Sequence, residues 1–161
     1  MKFEFTGEVK VWCGITLKQI RALVSFGGIA KGEIGGWIEK EGNLSQVYGN
    51  AWVYGDAQVY GNAWVYGNAR VYGNAHVSGD AQVQTVNVTA TRTDGYTFLV
   101  APTPDGPRVI AGCRYFTFKE AKAHWKDTRG GTPLGDETMS ILKHLETMAK
   151  INGFMEPVEC A

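Results

Sequence analysis

Cysteine, charge of one sign and long apolar runs are all scarce in this chain of 161 residues. The three cysteines are Cys13, Cys113 and Cys160, and no two of them form a CxxC pair. A structural zinc site needs about four closely spaced ligands, so the sequence predicts no metal site and no cofactor. Because unpaired thiols suit a reducing compartment, we expect a cytoplasmic location.

The net charge is zero, because the chain has 16 basic and 16 acidic side chains. A neutral chain has no overall field to attract a polyanion, which argues against general nucleic-acid binding and against attachment to a membrane surface. No stretch of about 18 apolar residues occurs, so no membrane-spanning helix is predicted. The absences together point to an ordinary folded domain of neutral character.

What the sequence does have is a six-residue repeat that runs from Val47 to Gln82. Its six units read VYGNAW, VYGDAQ, VYGNAW, VYGNAR, VYGNAH and VSGDAQ. A hexapeptide period is typical of a parallel β-helix, in which each short strand lies on an equivalent strand of the next coil. Three units make one triangular coil of about 18 residues, so the valine and the alanine of each unit are predicted to point inward. The second and sixth positions then point outward.

The outward positions carry an unusual number of aromatic rings. At this period the predicted stacks are Trp52 under Arg70, Gln58 under His76, Tyr48 under Tyr66 and Tyr54 under Tyr72. One interpretation is burial of these rings against another subunit or against the terminal segments. The other is a stacking platform for a planar ligand, with Trp64, Tyr66 and Arg70 as the candidate binding residues.

The predicted fold is mainly β, with a short parallel β-helix at residues 37–88. Residues 1–36 are predicted to cap it with a strand over residues 1–12 and a short helix. That helix starts at a capping box formed by Thr16 and Gln19 and ends near Val24. Trp37, Ile38 and Leu44 are interpreted as an irregular first coil.

Residues 89–161 are predicted to form a small α+β segment. A hairpin turns at Asp94-Gly95, and RVIAGCRYF forms a third strand. Thr117 and Glu120 form a second capping box at the start of a helix over FKEAKAHWK. The last helix is expected from about Asp136 to Ile151.

The loop between these two predicted helices is the best local candidate for a ligand site. Its two glycines free the backbone to present N–H groups, and Arg129 offers a fork for a phosphate or carboxylate. The candidate ligand-binding residues of this region are His124, Trp125, Lys126, Arg129, Gly130, Gly131 and Thr132. The alternative is a plain turn between helices in which Trp125 anchors the core.

No catalytic constellation stands out in the sequence. His76 is the one histidine inside the repeats, and no acidic residue is identifiable that would orient it as a general base. No Ser-His-Asp or Cys-His arrangement is visible either. The sequence therefore favours binding over catalysis.

The repeat VYGNAxVYGDAx resembles hexapeptide-repeat proteins that form left-handed β-helices. Three parts together resemble an uncharacterised family of small phage and prophage proteins: the opening FTGEVKVWCGITLKQIRAL, the repeat array, and the tail AGCRYFTFKEAKAHW with TRGGTPLGDETMSILKHLE. This resemblance implies left-handed winding, a homotrimer and a location in the cytoplasm of a bacterial host. Members are often labelled transferase-like, but this chain lacks the branched loop and the positioned histidine of such enzymes.

These observations lead to three functional hypotheses. The first is a non-catalytic phage accessory protein that binds a small anionic ligand and sequesters a nucleotide immune signal. The second is an acyltransferase that uses acetyl-CoA with His76 as its base. The third is a structural or protein-interaction component of a phage.

Overall fold

The computed structural model describes residues 1–47, 49–84 and 88–155. The chain divides into two compact units, Met1–Asn87 and Val88–Ala161. The first unit is made of strands and turns, and the second adds two helices to a small sheet. Among the described residues, no helix combines the length and the apolar character that crossing a membrane requires. The predicted stack of Tyr48 under Tyr66 lies outside the described residues.

The repeats form a solenoid of short parallel strands. Its strands are β3 (Ile34–Ile38), β4 (Trp52–Val53), β5 (Gln58–Val59), β6 (Trp64–Val65), β7 (Arg70–Val71), β8 (His76–Val77) and β9 (Gln82–Val83). Trp52 pairs with Arg70 and Gln58 with His76, as the period predicts. At the corners the same period recurs, since Asn62 donates a hydrogen bond to Asp80, 18 residues later. The predicted coil length is therefore confirmed.

The interior of the solenoid is lined by the alanine of each unit and by the valines of every unit except the first, whose Val47 is exposed where the array begins. Val53, Val59, Val65, Val71 and Val77 are completely buried, and the corner alanines are equally inaccessible. The glycine of each unit takes a positive φ, which turns the chain sharply between strands. These observations confirm the predicted inward face.

The first coil is irregular, as the sequence predicts. A short 3-10 turn, Glu41–Asn43, is inserted between β3 and the repeats. The buried Asn43 side chain donates hydrogen bonds to the carbonyl oxygens of Gly61 and Ala63, and it accepts one from the Lys40 amide. The amide side chain thus satisfies backbone groups of the next coil that would otherwise lack partners.

The N-terminal cap contains no helix among the described residues, so the predicted helix from Thr16 to Val24 is wrong. β1 (Phe3–Trp12) and β2 (Ile15–Ala22) form an antiparallel hairpin instead, and β2 also pairs with β3. Leu17 and Ile20 are both buried although they lie three residues apart, because the register of β2 against β3 shifts between Gln19 and Arg21. A bulge in a strand therefore produced spacing typical of a helix face.

The second unit packs two helices on an antiparallel sheet. Its elements are β10 (Val88–Thr91), β11 (Thr97–Ala101), β12 (Arg108–Ala111), β13 (Arg114–Phe116), α1 (Phe118–Arg129) and α2 (Pro133–Ile151). The hairpin at Asp94-Gly95 and the capping box at Thr117 are confirmed. The third predicted strand is two strands, because Gly112 takes a positive φ of 56° and turns the chain. Both helices extend further toward the intervening loop than expected.

Candidate binding surfaces

The solenoid has three walls, and they differ in whether a segment of the N-terminal cap covers their outer face. The first wall is β3, β5 and β8, and the hairpin β1–β2 continues the same sheet. The second wall is β4 and β7. The third wall is β6 and β9, extended by a bridge between Leu44 and Val65.

The first wall lies beneath the end of the N-terminal hairpin, residues 10–15. The Trp12 ring packs on His76 with 4.9 Å between the ring centres, and the Lys10 ammonium lies 4.4 Å from the centre of the Trp37 ring. His76 is consequently only 9% exposed. Burial, and secondarily the positive charge of Lys10, lowers the pKa of His76 to about 4.

The second wall lies beneath a loop of the N-terminal cap. Phe26 packs edge-on against Trp52 with ring centres 5.5 Å apart, and Trp52 is fully buried. Arg70 donates hydrogen bonds to the Gly27 carbonyl and, at 2.7 Å, to the Tyr54 hydroxyl. This predicted ligand residue therefore holds the loop against the wall.

The third wall presents aromatic rings to solvent. Trp64 is 42% exposed, and its ring stacks on Tyr66 at 4.0 Å between centres with the planes 13° apart. In the described part of the chain, Tyr66 is the only aromatic residue whose ring contacts that of Trp64. Gln82 lies beside Trp64 in the adjacent strand and places an amide next to the indole.

A second stack of tyrosines stands at a corner of the solenoid, and the predicted stack of Tyr54 under Tyr72 is confirmed. The two rings lie 4.5 Å apart and nearly parallel, and Tyr72 is half-exposed. Burial raises the pKa of Tyr54, an effect that the nearby Arg70 guanidinium opposes.

The predicted anion loop is shorter than expected, since only residues 130–132 separate the two helices. The Gly130 amide donates to the Lys126 carbonyl, and the Thr132 amide donates to the Arg129 carbonyl. The Thr132 hydroxyl donates to the same Arg129 oxygen at 2.6 Å and caps α2 by accepting from the Gly135 amide. The amides of Gly130 and Thr132 are therefore occupied within the loop, whereas Gly131 and the Arg129 and Lys126 side chains at the end of α1 are exposed.

The aromatic residues before this loop belong to the core of the second unit. Trp125 is 5% exposed and packs edge-on against Phe98 and Phe116, with ring centres 5.1 and 5.7 Å apart. His124 is half-buried beside Phe116. Trp125 is thus a core anchor, and its ring cannot serve as a stacking surface for a ligand.

Two side chains that contact His76 are not identified from the sequence as functional candidates. Trp12 and Gln58 meet His76 on the first wall, because the hairpin end folds over that wall. No local sequence pattern predicts the contact between Trp12 and the first wall, because β1 reaches that wall after a bulge between Phe5 and Val9. Within residues 1–47, 49–84 and 88–155, no three His, Cys, Asp or Glu side chains cluster as metal ligands would.

Stability should fall when the pH drops from about 6.5 to about 4, because of His76. Its imidazole takes up a proton near pH 6.5 in the unfolded chain but only near pH 4 in the folded protein, so acid favours unfolding in this window. The full effect is about 2 to 3 kcal/mol, present above pH 6.5 and lost below it.

Urea unfolding measured between pH 4.5 and 7.5 tests this dependence. His76→Gln places at this position the residue that the repeat already carries at Gln58 and Gln82, and it should flatten the profile. The control His144→Gln changes an exposed histidine of α2 and should leave the profile as it is. An unchanged profile in His76→Gln would assign the acid sensitivity to other groups.

The repeats match a family model, that of the YdcK beta solenoid repeat. The matches cover residues 45–61, 57–71, 63–79 and 69–84, which together span the hexapeptide array. No curated protein matches the chain. The parallel ladders and the family match together establish a β-solenoid repeat protein.

Proposed function

We propose that this β-solenoid repeat protein is a non-catalytic binding protein whose ligand is a small molecule with a planar ring and an anionic group, of the nucleotide class. The single observation that carries the proposal is the exposed Trp64 ring on the third wall, which stacks on the half-buried Tyr66 ring. The other two walls are occupied by segments of the same unit, whereas the Trp64 ring is exposed on the third wall.

An exposed indole that a neighbouring phenol ring holds in place suits a planar ligand for a physical reason. Solvent-facing walls of a solenoid gain nothing from aromatic side chains, and exposed apolar surface usually marks a contact site. Stacking of a base on an aromatic side chain contributes about 1–3 kcal/mol and requires no particular base. Gln82 beside Trp64 adds an amide that can bond the edge of a heterocycle.

The anionic part of the proposal rests on Arg129 and Lys126. Both side chains are exposed at the end of α1, and a guanidinium binds a phosphate through two parallel hydrogen bonds. Arg129 lies in the second unit and the third wall in the first. The two elements are therefore proposed separately and can be tested separately.

Calorimetric titration with adenosine, a cyclic adenosine monophosphate and ADP-ribose tests both elements. Trp64→Ala should weaken all three ligands by about 5- to 100-fold, because it removes the stacking surface. Arg129→Ala should weaken phosphate binding at the end of α1 by about 10- to 100-fold, the scale of a charged hydrogen bond, and should leave stacking on the third wall unchanged.

Matched controls separate stacking from other effects. Trp64→Phe keeps a ring and should retain most of the affinity, whereas Tyr72→Ala alters the corner stack and should change little. No binding of any of these ligands at millimolar concentration would reject the nucleotide proposal. Equal binding by wild type and Trp64→Ala would reject the third wall as the site.

The acyltransferase alternative meets a geometric obstacle. A general base must reach the proton that it abstracts, and His76 lies under the Trp12 ring with little exposed surface. Turnover of acetyl-CoA that disappears in His76→Ala would favour this alternative over a binding protein.

We further propose that the solenoid winds left-handed, forms a trimer and serves as a phage accessory protein that sequesters a nucleotide signal. The resemblance of the repeat to hexapeptide proteins supports the winding and the assembly. A cyclic trimer joins two different, complementary surfaces of each copy, and the third wall could serve as one of them. Light scattering should then give three times the monomer mass. If Trp64→Ala lowers that mass, the third wall is a subunit interface, which would favour a structural role over ligand binding.

A further inference from the structure

The end of the N-terminal hairpin lies over a row of side chains on the first wall. The register of β1 against β2 shifts between Phe5 and Val9, and Gly7 takes a φ of 99° in this bulge. Bulges bend a strand and redirect its side chains. Lys10 and Trp12 thereby reach the outer face of the wall instead of continuing the plane of the sheet.

The covered row consists of Trp37, Gln58 and His76, which we name the polar row. These residues pair in register across three adjacent parallel strands, so their side chains stand side by side on one face. Trp12 packs on His76 from above, and Tyr60 approaches the same imidazole edge-on with ring centres 6.2 Å apart. The His76 end of the polar row is therefore covered by two aromatic rings.

Three polar atoms are buried in this enclosure without a hydrogen-bond partner among the described residues. They are Trp12 Nε1, Gln58 Oε1 and His76 Nδ1. The Gln58 and His76 side chains belong to residues that are 6% and 9% exposed. Buried polar groups in folded proteins are almost always paired, with protein or with a bound molecule, because an unpaired group loses its hydration without compensation.

The chemistry of the three atoms specifies what would pair them. Trp12 Nε1 is a donor only, Gln58 Oε1 is an acceptor only, and His76 Nδ1 takes either role according to its tautomer. An O–H group accepts from the indole and donates to the amide at the same time. An ionised carboxylate cannot donate a hydrogen bond and a metal ion cannot accept one, so neither could pair both the indole and the amide oxygen.

We propose that the hairpin end and the polar row bind one O–H group, which accepts from Trp12 Nε1, donates to Gln58 Oε1 and bonds His76 Nδ1. A water molecule and a small organic alcohol share this chemistry. An alcohol has a single proton to donate, so it requires His76 to carry its proton on Nδ1. A water has two protons and serves either tautomer.

Nuclear magnetic resonance of the ¹⁵N-labelled full chain tests the proposal, with Trp12→Phe used to assign the Trp12 indole signal. A magnetisation-transfer peak between the Trp12 indole proton and water identifies a bound water. An added mass in the native mass spectrum, lost on denaturation, identifies an alcohol, and His76 must then be protonated at Nδ1. Either bound species supports the proposal.

Gln58→Met removes the acceptor with little change in side-chain volume. We expect the Trp12 indole signal to shift, and the melting temperature to fall by about 2–6 °C because the bound group loses a partner. Gln82→Met, at the same repeat position on the third wall, should leave the Trp12 signal in place. The proposal would be overturned by three results together. The Trp12 indole proton would show no magnetisation transfer with water, the native mass spectrum would show no added mass, and Gln58→Met would leave the Trp12 signal unmoved.

Discussion

Val59→Asp should unfold the solenoid, with a loss of about 4 kcal/mol or more in the free energy of unfolding. Val59 has no exposed surface, and its in-register neighbours Ile38 and Val77 are equally buried. A carboxylate placed between them would find no partner, and a buried unpaired charge is among the most destabilising changes known. Natural domains have about 5–15 kcal/mol of stability in total, so little would remain.

Urea unfolding followed by circular dichroism measures this loss, and Val47→Asp provides the control. Val47 occupies the same first position of a repeat unit, but it lies 73% exposed where the array begins. Its substitution should change stability by less than about 0.5 kcal/mol, as for other surface positions. Comparable losses in the two variants would mean that the valines do not line a narrow interior.

Trp52→Ala should destabilise the protein by about 3–5 kcal/mol, the range for a large buried side chain. The Trp52 ring is enclosed by Phe26 and by Gly35, where an added Cβ would lie only 2.7 Å from the indole. The loop that covers the second wall can collapse into the space only in part, so a cavity should persist.

The matched variant is Trp64→Ala, because both tryptophans occupy the sequence NAWVYG. Trp64 is exposed on the third wall, and its loss should cost no more than about 1 kcal/mol. Thermal and urea unfolding of the two variants in parallel gives the comparison. Similar losses in the free energy of unfolding would mean that Trp52 and Trp64 are equally buried, which contradicts the covered second wall and the exposed third wall.

The same pair of tryptophans defines what the sequence could predict. The hexapeptide period alone gave the coil length and the inward valines and alanines, because both follow from local turn and strand geometry. The period could not predict that Trp52 is buried and Trp64 exposed. The two hexads are identical, and only the distant segment that packs on one of them makes the difference. That difference depends on a loop more than twenty residues earlier in the chain, as the bond from Arg70 to Gly27 illustrates.

The N-terminal hairpin shows how local signals can mislead. Thr16, Gln19, Leu17 and Ile20 fit a capped helix, but pairing of β2 with strands on both of its sides supplies more hydrogen bonds than a short helix could keep. The correct capping box at Thr117 differs because α1 is followed by α2, against which it packs. Tertiary contacts therefore decided between two locally plausible structures.

The candidate site illustrates the same limit. Arg129 and the two glycines were recognisable as a loop, but the sequence did not reveal that the Gly130 and Thr132 amides bond within it. Trp125 fits the alternative that was left open, an anchor of the core. Of the predicted aromatic ligand residues, Trp64 is the one whose ring is exposed, and ligand binding there stays a prediction.

The central claim is that identical hexads lie on different walls, one covered by the chain and one exposed to solvent. Hydroxyl-radical footprinting of the tryptophans, read by mass spectrometry at a concentration where the chain is monomeric, tests it most directly. Trp64 should be oxidised many times faster than Trp52 and Trp125, which are buried. Equal oxidation of Trp52 and Trp64, or stronger protection of Trp64, would contradict the account.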